Sequence, residues 1–275
     1  MSLKINTINI NNETLMGRSV DAVDQAQSIR VNPINSSFLV SNPIAEDDES
    51  GNVIIYPQNP NNSDYSIKTI KSIVDHGDLN FPLDAVINVF TGTYWILDAG
   101  NEKVVVLDSD DYSFLRSVEG FTLPHSIIVN PNSRTVFIKS FEDKLTQRIT
   151  QLDNGGKILF NLEVPGLISS TTIDYSSSYM GKIPKYFTMD FDLARNRLWF
   201  VSKAVLYMVD LDTKQITEND LEDGRLNKLD CVSIDRSSGN AFVIMTDGVN
   251  YYVKQIFKDN NLLLGTSYLE EQPLP

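Results

Sequence analysis

The 275-residue sequence predicts an all-β fold, a β-propeller of four-stranded antiparallel blades with five repeats visible and five or six blades in all. Three observations predict it. A hairpin pattern, strand then Asp/Asn/Gly-rich turn then strand, recurs at 53–70, 104–118, 148–162, 206–219 and 253–267. A second hairpin of two short apolar strands around a polar turn precedes each copy, at 28–41, 85–98, 126–139, 186–202 and 231–246. No 3.6-residue apolar periodicity competes over a comparable length.

Aligning Ile29, Val86, Ile127, Phe187 and Val232 gives spacings of 57, 41, 60 and 45 residues, with 43 left to the C-terminus. A unit of about 40–45 residues holding four antiparallel strands is what a propeller blade requires. The excess length falls in loops, at 42–52 and 75–82 in the first repeat and 163–185 in the third. The expected boundaries are an N-terminal arm or closing strand over 1–25, then blades at about 26–82, 83–124, 125–183, 184–228 and 229–275. A two-layer sandwich is the rival architecture, but it does not predict equal four-strand modules.

Each element has its own reason. Lys4–Ile10 (KINTINI) alternates like a strand, which either closes the ring beside the last blade, hiding an edge, or pairs with another subunit. The stretch 19–27 is a short-helix candidate. In the second blade, Ala99-Gly100-Asn101 turns the chain between second and third strands, and Asp108–Asp111 turns it between third and fourth. Between them Val104, Val105 and Val106 run without polar alternation, the pattern of a strand packed on both faces. Trp95, Trp199, Phe38, Phe137 and Phe242 fall on second strands and read as core between blades. Paired asparagines such as Asn61-Asn62 and Asn260-Asn261 suit tight turns.

PLDAVINVFTGTYWILDAGNEKVVVLDSDD (82–111) resembles an NHL-type repeat: proline, apolar strand, Gly turn, aromatic strand, D-x-G-N, then a strand ending in Asp. LPHSIIVNPNSRTVFI (123–138) is similar to the P-H-x-I-x-V-x-P openings of related YVTN-like propellers. The good match covers about 55 residues. The resemblance implies a propeller, usually of six blades, and no single activity, since such propellers include lyases, lactonases and interaction scaffolds. Its lyases use several histidines around zinc; this chain has His76 and His125, too few for that set. Its calcium lactonases converge Glu, Asn and Asp; Asp84, Asp230 and Asn88 are available, but no glutamate stands at the equivalent position.

The net charge of −13 (23 Lys+Arg, 36 Asp+Glu) repels phosphate backbones and anionic lipid, so neither nucleic acid nor membrane is an expected partner. No apolar run approaches the ~18 residues of a membrane span, and MSLKINTININNETL lacks a secretory apolar segment. A cytoplasmic or virion location is expected. A lone cysteine, Cys231, excludes an internal disulfide.

The residues two before the aligned apolar positions are Gln27, Asp84, His125, Lys185 and Asp230. In a propeller they form a polar ring at one channel mouth. The ring is either a small site, with the carboxylates and imidazole as acid/base or cation ligands and Lys185 as an anion contact, or simply polar because it meets water. Asp108-Ser109-Asp110-Asp111 imitates a calcium loop, but Tyr112 takes the third ligand position, so turn aspartates are the better reading. Two loops are candidates for protein contact: the acidic run Glu46, Asp47, Asp48, Glu49, and the Ser/Tyr-rich insertion 163–185 with Tyr175, Tyr179 and Met180. No GxSxG, Walker A or GxGxxG motif is present.

The expectation is a non-catalytic scaffold for protein–protein interaction, in a larger assembly such as a bacteriophage virion, with no cofactor and no metal. The alternative is a calcium-assisted hydrolase or lactonase, or a small-ligand binder, using the channel ring. A carbohydrate-binding propeller ranks third, because the repeated aromatic is better spent on the core.

Overall fold

The structure, a computed structural model, describes residues 7–9, 14–16, 28–32, 37–43, 51–56, 68–142, 146–165, 189–202, 205–220, 228–235, 237–246, 251–259 and 262–267. β1 (Thr7–Asn9) and β2 (Thr14–Met16) pair with each other, Thr7 opposite Met16 and Asn9 opposite Thr14. The strand expected at 4–10 thus finds its partner a few residues on, in a two-stranded sheet of its own.

The first sheet holds β3 (Ser28–Val31), β4 (Phe38–Asn42), β5 (Asn52–Tyr56) and β6 (Lys68–Ile70). A small hairpin, β7 (Ser72–Ile73) with β8 (Gly77–Asp78), follows, its second strand inside the stretch 75–82 expected as loop. The second sheet holds β9 (Pro82–Asn88), β10 (Thr93–Asp98), β11 (Lys103–Asp108) and β12 (Phe114–Glu119), and the third β13 (Thr122–Val129), β14 (Val136–Phe141), β15 (Thr146–Leu152) and β16 (Ile158–Pro165). The fourth comprises β17 (Met189–Asp192), β18 (Arg197–Ser202), β19 (Val205–Asp210) and β20 (Ile216–Asp220); the fifth, β21 (Lys228–Ile234), β22 (Ala241–Thr246), β23 (Tyr251–Asp259) and β24 (Leu262–Ser267). In each four-stranded sheet spatial order follows chain order. These are five antiparallel blades, and the chain is an all-β, five-bladed β-propeller. Among the described residues the helical element is a single 3-10 turn at Ala99–Asn101.

The sheets divide between two compact units. The first two sheets belong to one and the last two to the other; the boundary falls inside β13, between His125 and Ser126, and the rest of the third sheet lies in the second unit.

Turn chemistry explains why the strands break where they do. In the hairpins joining first to second strands, an Asx side chain caps the backbone two residues on: Phe90 N donates to Asn88 Oδ1 (3.2 Å), Asn132 N to Asn130 Oδ1 (2.9 Å), Ser237 N to Asp235 Oδ1 (2.9 Å). The hairpins joining third to fourth strands repeat the device. Asp110 N donates to Asp108 Oδ1 (2.8 Å), Gly155 N to Asp153 Oδ1 (2.8 Å), Asp212 N to Asp210 Oδ1 (3.1 Å). The acidic cluster 108–111 is therefore turn-forming, and Asp111 adds a second cap, accepting from Ser113 N at 2.8 Å.

The D-x-G-N stretch has a structural task as well. Asp98, fully buried, accepts from Asn80 N (2.7 Å) and from Asn101 Nδ2 (2.8 Å), while Asn101 Nδ2 also donates to the Asp78 carbonyl (3.1 Å). Gly100 donates its N–H to Asn80 O at 2.8 Å, and a Cβ at position 100 would stand 2.5 Å from Asn80 Cγ. The glycine is needed for close approach. Together these bonds fasten the connection between the first and second sheets.

Valines 104–106 are buried on both faces of β11, as their lack of alternation predicts. Apolar layers join neighbouring sheets within each unit. Leu39, Val53 and Ile55 of the first sheet pack with Ala85, Tyr94, Ile96 and Val105 of the second. Phe137, Ile149 and Val164 of the third pack with Phe191, Leu198 and Phe200 of the fourth. Trp199, Leu206 and Met208 of the fourth pack with Val232, Val243 and Ile256 of the fifth. Trp95, Phe137 and Trp199 are fully buried, as expected of core rings.

Candidate functional site

Strand register decides which residues are equivalent. Ile29 pairs with Val40, Ala85 with Ile96, Met189 with Phe200 and Val232 with Val243. The equivalents of Ile29 and Val232 are thus Ala85, not Val86, and Met189, not Phe187. The apolar match slipped by one residue in the second repeat and by two in the fourth, and a one-residue slip moves a side chain to the other face of its sheet. Two before Ala85 stands Leu83, not Asp84, and the ladder passes over Leu83 in a bulge, Leu97 facing Asp84 and Asp98 facing Pro82. On second strands the same register equates Trp95, Trp199 and Phe242 with Leu39, whereas Phe38 points to the opposite face and packs beside Val40, Ile54 and Tyr56.

Asp84 is 3% exposed and engaged. Arg30, from the first sheet, donates Nε to Oδ1 at 3.1 Å and Nη2 to Oδ2 at 2.7 Å, and Ala85 N donates to Oδ1 at 3.0 Å. A planar guanidinium against a carboxylate is the strong, bidentate form of ion pair. It ties the first sheet to the second and leaves no oxygen of Asp84 without a donor. His125 is 8% exposed, with Nδ1 2.8 Å from the Leu123 carbonyl; Leu123 itself holds a left-handed φ of 50°. Asp230 belongs to β21 by its backbone. Gln27 and Lys185 lie outside the described residues, as do Glu46, Asp47, Asp48 and Glu49, and Tyr175, Tyr179 and Met180. Of the five ring candidates, then, two have described side chains, and each of those makes a short internal bond.

No group of three or more His, Cys, Asp or Glu stands together in metal-ligating geometry among the described residues. His76, at the tip of the β7–β8 hairpin, stacks on Phe114 with ring centroids 3.5 Å apart.

Two features escape the sequence pattern. One is the face of β3. Ile29 is 45% exposed and Val31 55%, although Ala85, Met189 and Val232, the counterparts of Ile29, are buried, and of the counterparts of Val31, Phe191 and Ile234 are buried and Ile87 is partly buried. Nothing in SIRV distinguishes that strand from its siblings. The other is Lys139, fully buried in β14 at the position held by Ser41, Leu97, Val201 and Ile244 elsewhere. That one was visible as the charged residue in TVFIKSF. Its ammonium donates to the Val201 carbonyl and lies 5.5 Å from the Phe200 ring centroid.

No known protein family and no curated protein matches the sequence. Solved structures do. A chain of the nidogen/laminin complex superposes with a TM-score of 0.62 at 12% identity, over 97% of this chain and 90% of that one. Hydrazine synthase of Kuenenia stuttgartiensis gives 0.63 at 12% identity, over 90% and 67%. The Cps50 (Swd1) β-propeller domain of Myceliophteria thermophila gives 0.55 at 12% identity, over 91% and 70%. At such identity the likeness is one of fold alone. It supports the β-propeller and carries the NHL-type resemblance no further than that fold.

Proposed function

We propose that the protein is a non-catalytic β-propeller scaffold that binds other proteins within a larger assembly. The observation that carries this reading is the half-exposed apolar pair Ile29 and Val31, whose sibling positions are buried or partly buried. Apolar side chains at such a position cost free energy in water, and covering them with a partner recovers it. The polar candidates favour the same reading. Asp84 is held by Arg30, Asp98 by Asn80 and Asn101, and Asp108 and Asp111 by their own turns. A general base or a cation ligand needs lone pairs that these bonds occupy. Structures of like fold include both a nidogen/laminin complex and an enzyme, hydrazine synthase, so fold alone does not choose. A virion is one assembly that suits the acidic, Asn-rich composition.

The test is mass spectrometry of native assemblies carrying wild-type chain or Ile29→Asp/Val31→Asp. The expected result is a partner held by wild type and lost from the double variant, with thermal stability of the isolated chain unchanged. A partner held equally by both overturns the role of β3. A Ca²⁺-dependent rise in Tm would instead favour the calcium-assisted hydrolase reading.

A further inference from the structure

Buried polar groups in a folded chain are bonded, and one that is not asks for a water or an ion. At one end of the first sheet two such groups stand opposite each other. Asn42, the last residue of β4, and Asn52, the first of β5, are 4% and 5% exposed and pair across the ladder. Directly opposite side chains share a face of the sheet, their Cβ atoms about 4.5–5.5 Å apart. Neither Oδ1 meets a donor. The second sheet shows the ordinary solution at the same place: Asp98 stands opposite Lys103 and accepts from Asn80 N and Asn101 Nδ2.

The connection between the two asparagines is unlike its siblings. It runs over 43–51, whereas the other sheets join second to third strands through 99–102, 142–145, 203–204 and 247–250. Its ends are drawn together: a Cβ on Gly51 would stand 2.2 Å from the Pro43 carbonyl oxygen and 2.5 Å from Pro82 Cδ of the second sheet. A glycine is what lets the backbone pass so close. The sequence of the connection carries Glu46, Asp47, Asp48 and Glu49 and no lysine, arginine or histidine. Each of these acids is within five residues of Asn42 or Asn52 along the chain.

We propose that this connection binds a calcium ion, with the Asn42 and Asn52 amide oxygens as ligands at its base and the acidic stretch 46–49 supplying carboxylates. The donor set argues for a hard cation. Amide oxygens and carboxylates suit Ca²⁺, which takes about six to eight oxygens in a forgiving geometry, whereas Zn²⁺ calls for imidazole or thiolate. The chain's two histidines, His76 and His125, and its one cysteine, Cys231, belong to other segments. Four carboxylates on consecutive residues repel one another, and a divalent ion removes that cost. A water molecule bonded to the two amides would leave those four charges unanswered.

The experiment titrates EDTA-treated protein with CaCl₂, by isothermal calorimetry and by urea unfolding. It compares wild type with Asn42→Leu/Asn52→Leu and with the loop variant Glu46→Gln/Asp47→Asn/Asp48→Asn/Glu49→Gln. Wild type is expected to bind one ion per chain. Its folding equilibrium constant should rise about a hundredfold when calcium stands at about one hundred times the dissociation constant. Both variants should lose that rise. Without calcium the leucine variant should be at least as stable as wild type, because it buries no orphaned amide. Should the leucines prevent folding, the loop variant, whose substitutions lie between the strands, answers alone. Wild type that binds no calcium, or a variant that keeps the full response, overturns the proposal. A response kept by both variants belongs instead to the channel carboxylates of the hydrolase reading, whereas one that both lose leaves the scaffold reading standing.

Discussion

Two layers between sheets solve the same packing problem with different ions. Between the first and second sheets the buried charge is a pair: Arg30 crosses to Asp84 with two hydrogen bonds, and the position equivalent to Lys139 holds Ser41, small and neutral. Between the third and fourth sheets the buried ion is Lys139, answered by a backbone carbonyl and an aromatic ring. The first arrangement sets each charge directly against its opposite. The second holds its charge only against a desolvation penalty. A propeller layer therefore tolerates a charged side chain in either way, but only one of them sets it against an opposite charge.

The comparison can be broken at several strengths. The largest effect is expected at a ring in the second of these layers: Phe137→Ala should cost about 3–5 kcal/mol of unfolding free energy, read by urea denaturation, because Phe137 is fully buried. Next, Arg30→Met removes the guanidinium that faces the 3%-exposed Asp84 and should cost about 2–4 kcal/mol. The double variant Arg30→Met/Asp84→Leu should recover most of that loss. If it is as unstable as the single variant, the pair is not the source of the cost.

A third contrast separates the two tryptophans. Trp95 Nε1 donates to Thr93 Oγ1 at 3.0 Å, whereas Trp199 Nε1 meets no acceptor among the described residues. Both rings are fully buried, so Phe substitution removes similar volume from each. Trp95→Phe should cost about 1 kcal/mol more than Trp199→Phe; equal costs would show that the indole bond contributes nothing. The smallest effect concerns a turn. Asp235 has its pKa lowered to about 2, first by Ser238 and Ser237 hydroxyls. Its contribution is present above the ordinary carboxylate pKa and lost as pH falls through about 2. Ser237→Ala/Ser238→Ala should move the Asp235 titration, followed by NMR, up toward the usual value.

The strand content was legible because it depends on local chemistry. Asn88, Asn130, Asp108, Asp153 and Asp210 each cap their own hairpin, and a residue that stops a strand by bonding its own backbone announces itself in sequence. The ring of site candidates was less legible. Val86 and Phe187 are as apolar as the residues they were aligned with, so hydrophobicity could not detect a slip of one or two positions; only cross-strand partners could. Arg30 as the partner of Asp84 was equally hidden, since 54 residues separate them. Lys139 could have been noticed as a cation in an apolar strand, but its burial depends on what the fourth sheet places over it.

One consequence follows from the order of strands. In all five blades each strand after the first bonds to the strand made just before it, so pairing within a blade never waits for a distant piece of chain. Short separations between partners favour rapid assembly. A ribosome releasing this polypeptide would set free one finished meander after another, each able to zip up before the following one emerges.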